Sequence, residues 1–331
     1  VCARVAVVYN EPVPSRYDDA GEGRAVRGVL ETVAAVQQSL LEAGHEVTVV
    51  PLAPPLRSCR RKLGSLEVDL VFNLFEGFCG YPETETMVPE TLAAAGIPFT
   101  GCPAAALKLA LDKAGFKALL RRHGVPTPDF QLLSPRTIAS FRLGFPCIVK
   151  PRAEDASHGL SEASVVSDAA SLQKQVAALS EVYRGSVLVE AFLDGREFNA
   201  TVLGGSRGTV LPASEIVYSL PPGLPRVLNF AAKWEPDGPY YLGTQVSCPA
   251  EISAAEQESL RRTALAAFRL LDCRGYARVD MRMDQAGRLN VIEINPNPDI
   301  SPGTGAARQA VAAGMTYTRF IEKIIQLALV K

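Results

Sequence analysis

The stretch RLNVIEINPNPDIS (Arg288–Ser301) begins as a strand and ends unlike one. LNVIEI is a run of strand formers, yet it delivers Glu293, Asn295, Asn297 and Asp299 at intervals of two, with Pro296 and Pro298 between them. Residues two apart on a strand share a face. Proline fixes its own φ and pushes its predecessor toward extended geometry, so the polar face continues past the strand's end.

A second alternating segment, RVDMRMD (Arg278–Asp284), precedes it across a short turn at Gln285-Ala286-Gly287. The two segments read as a hairpin in which Asp280 faces Glu293 and Asn295. Two carboxylates and an amide oxygen form a hard, all-oxygen donor set that suits magnesium, which keeps waters and bridges to phosphates. The competing reading is an acidic hairpin end held by hydrogen bonds. Arg278, two residues before Asp280, points the same way. It stabilises either a transferring phosphoryl group or oxyanion, or simply the local charge balance.

At 331 residues the chain exceeds one ordinary core and predicts two or three domains. A net charge of −1 supplies no global field for nucleic acid or a membrane surface. Seven scattered cysteines without a C-x-x-C pair argue against a disulfide framework or a zinc site and point to a reducing cytoplasm. No apolar run approaches bilayer-spanning length, and VCARVAVVYNE reads as a first strand.

Strands are expected at Arg4–Asn10, His45–Leu52, Val68–Phe75 and Ile97–Gly101, with helices at Ala25–Gly44 and Glu83–Gly96, a pattern for a parallel α/β layer. A long helical stretch follows at Cys102–Gly124. Next comes strand–loop–strand around PCIVKPRAEDASHG, then a helix at Ser171–Tyr183. Ser186–Gly205 reads as two strands turning at Asp194-Gly195.

No Walker-type or G-x-G-x-x-G loop is present. Three lysines nevertheless occupy unusual places: Lys150 ends an apolar strand, Lys113 lies in LALDKAGF, and Lys233 lies in NFAAKW. Each is a phosphate contact or a snorkelling surface residue. The loop EDASHG, with Ala156, Ser157 and His158, has the small residues that let backbone N–H groups cover phosphates. His158 is either a substrate or acid–base residue or an ordinary loop histidine. Glu190, Ala191, Phe192, Leu193 and Glu197 form the apolar-plus-carboxylate pattern of an adenine pocket.

Together these segments resemble the ATP-grasp superfamily and, more narrowly, the D-alanine–D-alanine ligase family. The resemblance runs in order through GIPFTG, ALDKAGFKALL, GVPTPDF, CIVKP, VLVEAFLDGREFNATVLG, AAKW, SCPAEIS, GYARVDMRMD and VIEINPNPDIS. It implies an α/β ATP-grasp fold. Residues 1–101 would form an N-terminal parallel-sheet (pre-ATP-grasp) domain, 102–185 a small central α+β subdomain, and 186–331 a C-terminal antiparallel-sheet subdomain. Lys113, Lys150 and Ser157 would then contact ATP phosphates. Glu190 would bind the adenine amine, Phe192 and Leu193 the hinge side of the base, and Glu197 the ribose. Lys233 would approach the γ-phosphate. Asp280, Glu293 and Asn295 would hold two magnesium ions, with manganese as a substitute, and Arg278 would stabilise the acyl-phosphate and tetrahedral intermediate.

The implied activity is an ADP-forming carboxylate–amine ligase acting on small molecules, with a homodimer through the N-terminal unit as the family expectation. The departures from the family pattern fall in the substrate loops: YNEPVPSRYDD, FEGFCGYPETET, ASHG and EINPNPD. The expected substrate is therefore an amino acid or peptide other than a D-alanine pair. Glu76, Tyr81, Glu83, Ala156, His158, Asn297 and Asp299 are the candidate pocket residues. The alternatives are a genuine D-alanine–D-alanine ligase with divergent loops and an ATP-binding protein without turnover.

Overall fold

The strand-forming segments assemble into three sheets in the computed structural model, which describes residues 2–13, 24–154, 159–205 and 207–329. The first sheet holds β1 (Arg4–Asn10), β2 (Glu46–Leu52) and β3 (Leu70–Leu74), all parallel, in the order β2-β1-β3. β1 and β3 are almost continuously apolar because helices cover both faces of the sheet. The expected strand at Ile97–Gly101 reduces to one bridge, Val71 to Phe99. Thr100 then spends its hydroxyl on the Asn73 backbone N–H instead of extending the pairing.

The second sheet is antiparallel: β4 (Phe130–Leu133), β5 (Cys147–Lys150), β6 (Val165–Val166) and β7 (Val187–Ala191), in the order β4-β7-β5-β6. The helix Ala169–Val182 closes its core, started by an Asp168 cap that accepts from the Ser171 N–H. The third sheet contains β8 (Glu197–Gly204), β9 (Thr209–Val210), β10 (Ser214–Tyr218), β11 (Thr244–Ser247), β12 (Gly275–Met283) and β13 (Leu289–Asn295), again antiparallel. Its core packs against the helix Ala254–Leu270.

Two expectations change. The Asp194-Gly195 turn does not close a hairpin, because β7 pairs with β4 and β5 while β8 pairs with β10 and β12. Phe192–Arg196 is therefore the link between two sheets. The expected division at 185/186 would cut β7 from the loop that precedes it. Sheet pairing favours a boundary after Ala191, and we propose that division.

The long helical stretch also breaks at Asp112, into Ala104–Leu111 and Lys113–Arg122. The break sets Lys113 at the start of a new helix.

The last helices do not pack where their sequence position suggests. Ala306, Ala310, Phe320, Ile321, Ile324 and Ile325 join Val5, Val7, Leu70 and Phe72 in one buried core. Gln309 is fully buried and fixes the joint: its side chain accepts from the Thr201 N–H and donates to Asn199 O and Ser214 Oγ. No helix among the described residues is long and apolar enough to cross a membrane.

Phe320→Ala removes a fully buried ring from this shared core. It is expected to cost about 3–5 kcal/mol, read as a lower urea midpoint. An unchanged midpoint would show that the terminal helix does not support the first sheet.

Candidate active site

A hairpin bulge aims the acidic residues into the cleft. β12 and β13 pair with Asp280 opposite Glu293 and Arg278 opposite Asn295, but the register slips between Asp280 and Met281. The slip leaves Ile292 as an extra residue on β13, which is a β-bulge. Val291 and Ile294 consequently both enter the core, while the consecutive Ile292 and Glu293 both face the cleft. Strict alternation would have put Val291 and Glu293 on one side.

The cleft lies between the second and third sheets, has a volume of about 840 Å³ and is open to solvent. Of the sequence-predicted residues, Lys113, Lys150, Glu190, Phe192, Leu193, Glu197, Lys233, Arg278, Asp280 and Glu293 all line it. Ile148, Val227, Leu228 and Ile292 supply apolar walls.

The charges are paired across it. Arg278 forks onto Asp280, with Nε–Oδ1 at 2.7 Å and Nη2–Oδ2 at 2.8 Å. The Lys113 ammonium lies 3.1 Å from Glu293 Oε2. Burial alone would raise the Glu293 carboxyl, but Lys113, Lys150 and Arg278 outweigh it and hold it down to about 2. Burial pulls the Lys233 ammonium below its ordinary value, and the nearby Arg278 adds to the effect.

Sequence reasoning missed the residue under the floor. Lys117 is 1% exposed and sits 2.8 Å from Glu190 Oε1, while Lys150 sits 2.9 Å from Glu190 Oε2. Burial would raise Glu190, and the two lysines reverse that, leaving an ionised carboxylate between two cations. Lys117 also donates to Thr127 Oγ1, which donates in turn to Val291 O. Its signal was available: Lys117 follows Lys113 by four positions, the spacing that puts two residues on one helix face.

Asp280, Glu293 and Asn295 are a donor set that fits a hard divalent cation, because magnesium takes few protein oxygens and fills its shell with waters and phosphates. Asn295 lies beyond the main cleft, where its side-chain oxygen accepts from the Asn297 N–H at 2.9 Å. Among the described residues no group of three or more His, Cys, Asp or Glu is placed to hold a metal by itself, so added oxygens from a phosphate ligand are part of the fit.

The candidate substrate residues separate. Glu76, Asn297 and Asp299 line a small adjoining cavity with Thr32 and Ile300. Asn297 is largely committed to structure, its amide donating to Phe75 O at 3.1 Å and to Glu85 Oε1. The Asp299 carboxylate accepts from the Ser301 N–H at 2.8 Å. Tyr81 and Glu83 are exposed and line none of these cavities. Ala156, Ser157 and His158 lie outside the described residues. Desolvation in this small cavity, with Asp299 beside it, pushes the Glu76 carboxyl up to about 7. The side chain still meets solvent, and water screens part of that effect.

The family model described as the D-ala D-ala ligase C-terminus matches residues 119–326. An uncharacterised protein, y4sG, of Sinorhizobium fredii is 34% identical over 97% of this chain and 92% of its own length. A D-alanine–D-alanine ligase of Synechococcus is 31% identical over 94% of this chain and 92% of its own. Among solved structures, the D-alanine–D-alanine ligase of Bacillus anthracis superposes with a TM-score of 0.76 at 23% identity, covering 98% of this chain and 97% of the other. The same enzyme complexed with ATP gives a TM-score of 0.74.

Lys117→Met leaves Glu190 with Lys150 alone and its Oε1 without a cation, and is expected to cost about 1–3 kcal/mol of stability by urea unfolding. A loss below about 1 kcal/mol would mean that the triad is not the floor's support. Glu76 binds its proton more tightly folded than unfolded, so its contribution is full below about pH 4.5 and is lost as pH rises toward 7. Glu76→Gln should therefore flatten part of the wild-type decline in stability between pH 5 and 7.5, measured by denaturant titration at each pH. Parallel curves would refute the shift.

Proposed function

Because the chain belongs to the D-alanine–D-alanine ligase family, we propose that it is an ATP- and magnesium-dependent carboxylate–amine ligase whose substrate is an amino acid or peptide other than a D-alanine pair. The observation that carries the reading is the single cleft in which Lys113, Lys150, Lys233 and Arg278 converge with Asp280, Glu293, Glu190 and Glu197. Neither a lone acidic hairpin nor scattered surface lysines accounts for that convergence.

The ligase would work in two steps. The substrate carboxylate attacks the γ-phosphorus of ATP, giving an acyl-phosphate and ADP. The amine then attacks the acyl carbon, phosphate leaves, and the amide forms with loss of the amine's proton. Lys113 and Lys150, held near the cleft floor, neutralise phosphate oxygens. Lys233, on the short helix Phe230–Trp234, approaches the γ-phosphate. Its lowered proton affinity is restored when phosphate charge arrives. Arg278 stays cationic and stabilises the oxyanion of the tetrahedral intermediate. Glu197 takes the ribose and the Phe192–Leu193 backbone the base. Asp280, Glu293 and Asn295 would hold the metal, which when bound neutralises charge on the transferring oxygens. The same reading includes two ions per site and a homodimer, the latter tested by sedimentation.

Support for a different substrate comes from the small adjoining cavity. Its wall pairs Glu76 with Asp299, and Asn297 is tied to the first sheet and Glu85. A genuine D-alanine–D-alanine ligase is the second reading, favoured by relatives of that name at 28–34% identity. A coupled ADP-release screen pairing many carboxylates with many amines in magnesium decides between them. Turnover with D-alanine alone at ordinary substrate levels would establish the second reading. ATP binding with no ADP release from any amino acid, peptide or hydroxylamine trap would remove the ligase assignment. Asn295→Ala is expected to lower any activity found by at least about a hundredfold with the fold intact. Retained turnover would move the metal site elsewhere.

A further inference from the structure

β12 presents a third charged residue to the cleft. Arg278, Asp280 and Arg282 alternate on one face, while Val279 and Met281 are fully buried on the other. Arg282 is 5% exposed, lines the cleft and lies directly opposite Glu197 on β8.

Its guanidinium reaches three residues of the link between the second and third sheets, Phe192, Asp194 and Gly195. Nη1 is 3.2 Å from Glu197 Oε2, and Nε donates to Gly195 O at 3.2 Å. The guanidinium carbon lies 5.2 Å from the Phe192 ring centre and 5.7 Å from that of Tyr218. Nη2 is 3.9 Å from Asp194 Oδ1. The Tyr218 hydroxyl donates to the same Glu197 Oε2 at 2.7 Å. Gly195 makes the approach feasible: a Cβ there would stand 2.4 Å from Met283 O, so the turn lies against the strand that carries Arg282.

From these contacts we propose that Arg282, aided by Tyr218, is a positioning residue that reserves Glu197 Oε1 for the hydroxyls of the nucleotide's ribose. The ion pair from Arg282 and the hydrogen bond from Tyr218 both fall on Oε2, which fixes the carboxylate's rotation. A carboxylate accepts through either oxygen. Without the clamp Glu197 turns toward solvent, and the cis-diol loses an aligned acceptor. The guanidinium fork suits this task because its planar donors hold the carboxylate and the turn carbonyl at once, which a lysine ammonium does with less order. Phe192 is steadied from the same side by the cation, so the residue that meets the base and the residue that meets the sugar share one support.

This inference rests on the nucleotide reading above, and the test keeps the two apart. Equilibrium binding of magnesium–ATP, 2′-deoxy-ATP and 3′-deoxy-ATP is measured by calorimetry, with no need for the second substrate. The wild type is expected to prefer ATP over at least one deoxy analogue by about tenfold or more, the size of a hydrogen bond to a charged group. In Arg282→Met the preference should fall below about threefold, with weaker ATP binding and little change for the deoxy analogue. Tyr218→Phe, a milder change that keeps the ion pair, should lower the same ratio by a smaller factor. A structural role alone would weaken all three nucleotides together and leave the ratio intact. Failure of the wild type to bind ATP overturns the nucleotide reading and this inference with it. ATP bound without preference over either deoxy analogue overturns this inference alone. So does an unchanged ratio in a folded Arg282→Met or, if that variant does not fold, in Tyr218→Phe.

Discussion

Glu190 held between Lys117 and Lys150 is the contact on which the cleft depends. The three groups come from three places: the helix Lys113–Arg122, β5 and β7. Charges this deeply buried are costly unless each meets a partner, and removing Glu190 would strand both lysines. The pairing therefore locks the floor of the second sheet to the helix beneath it. Through Thr127 and the Val291 carbonyl, the lock reaches the strand that carries Glu293. The floor of the cleft and the hairpin that carries Glu293 thus share one electrostatic anchor.

The same electrostatics explain why composition says so little about the site. The chain is nearly neutral, at −1, yet five cationic side chains face this one cleft: Lys113, Lys150, Lys233, Arg278 and Arg282. Each of Asp280, Glu190, Glu197 and Glu293 has a cationic partner already in place. Phosphate oxygens and a divalent cation would exchange with these partners and not enter an empty field. A cleft arranged this way keeps Glu190 and Glu293 ionised and its geometry held before substrate arrives, which limits reorganisation during reaction.

How much of this could be read from sequence depended on period and on range. The β12–β13 hairpin and the shared face of Arg278, Asp280 and Glu293 follow from alternation at period two, and the structure brings these side chains together in the cleft. The bulge at Ile292 escapes that reading, because one extra residue leaves no mark in an apolar run. The switch of sheets at Asp194-Gly195 escapes for a similar reason: a turn signal reports a reversal of direction and not which strand receives the chain. Lys117 and Arg282 were legible as same-face neighbours of Lys113 and Asp280. Their burial, which makes them matter, is a tertiary fact. Asn297 shows the limit from the other side: its place beyond the metal residues suggested a substrate contact, and long-range bonds to Phe75 O and Glu85 claim its amide first.

The joint core of the first sheet with the terminal helices has a consequence for the order in which the molecule is made. Leu70 and Phe72 leave the ribosome well before Phe320, Ile321 and Ile324, which cover them. At synthesis rates of roughly 5–20 residues per second, the delay is on the order of ten seconds or more. For that interval the nascent first sheet shows an apolar face to the cell. The second sheet, whose core lies between Leu133 and Val189, needs no such wait. Synthesis thus completes the second sheet before the first, whose residues need protection until the helices that cover them emerge.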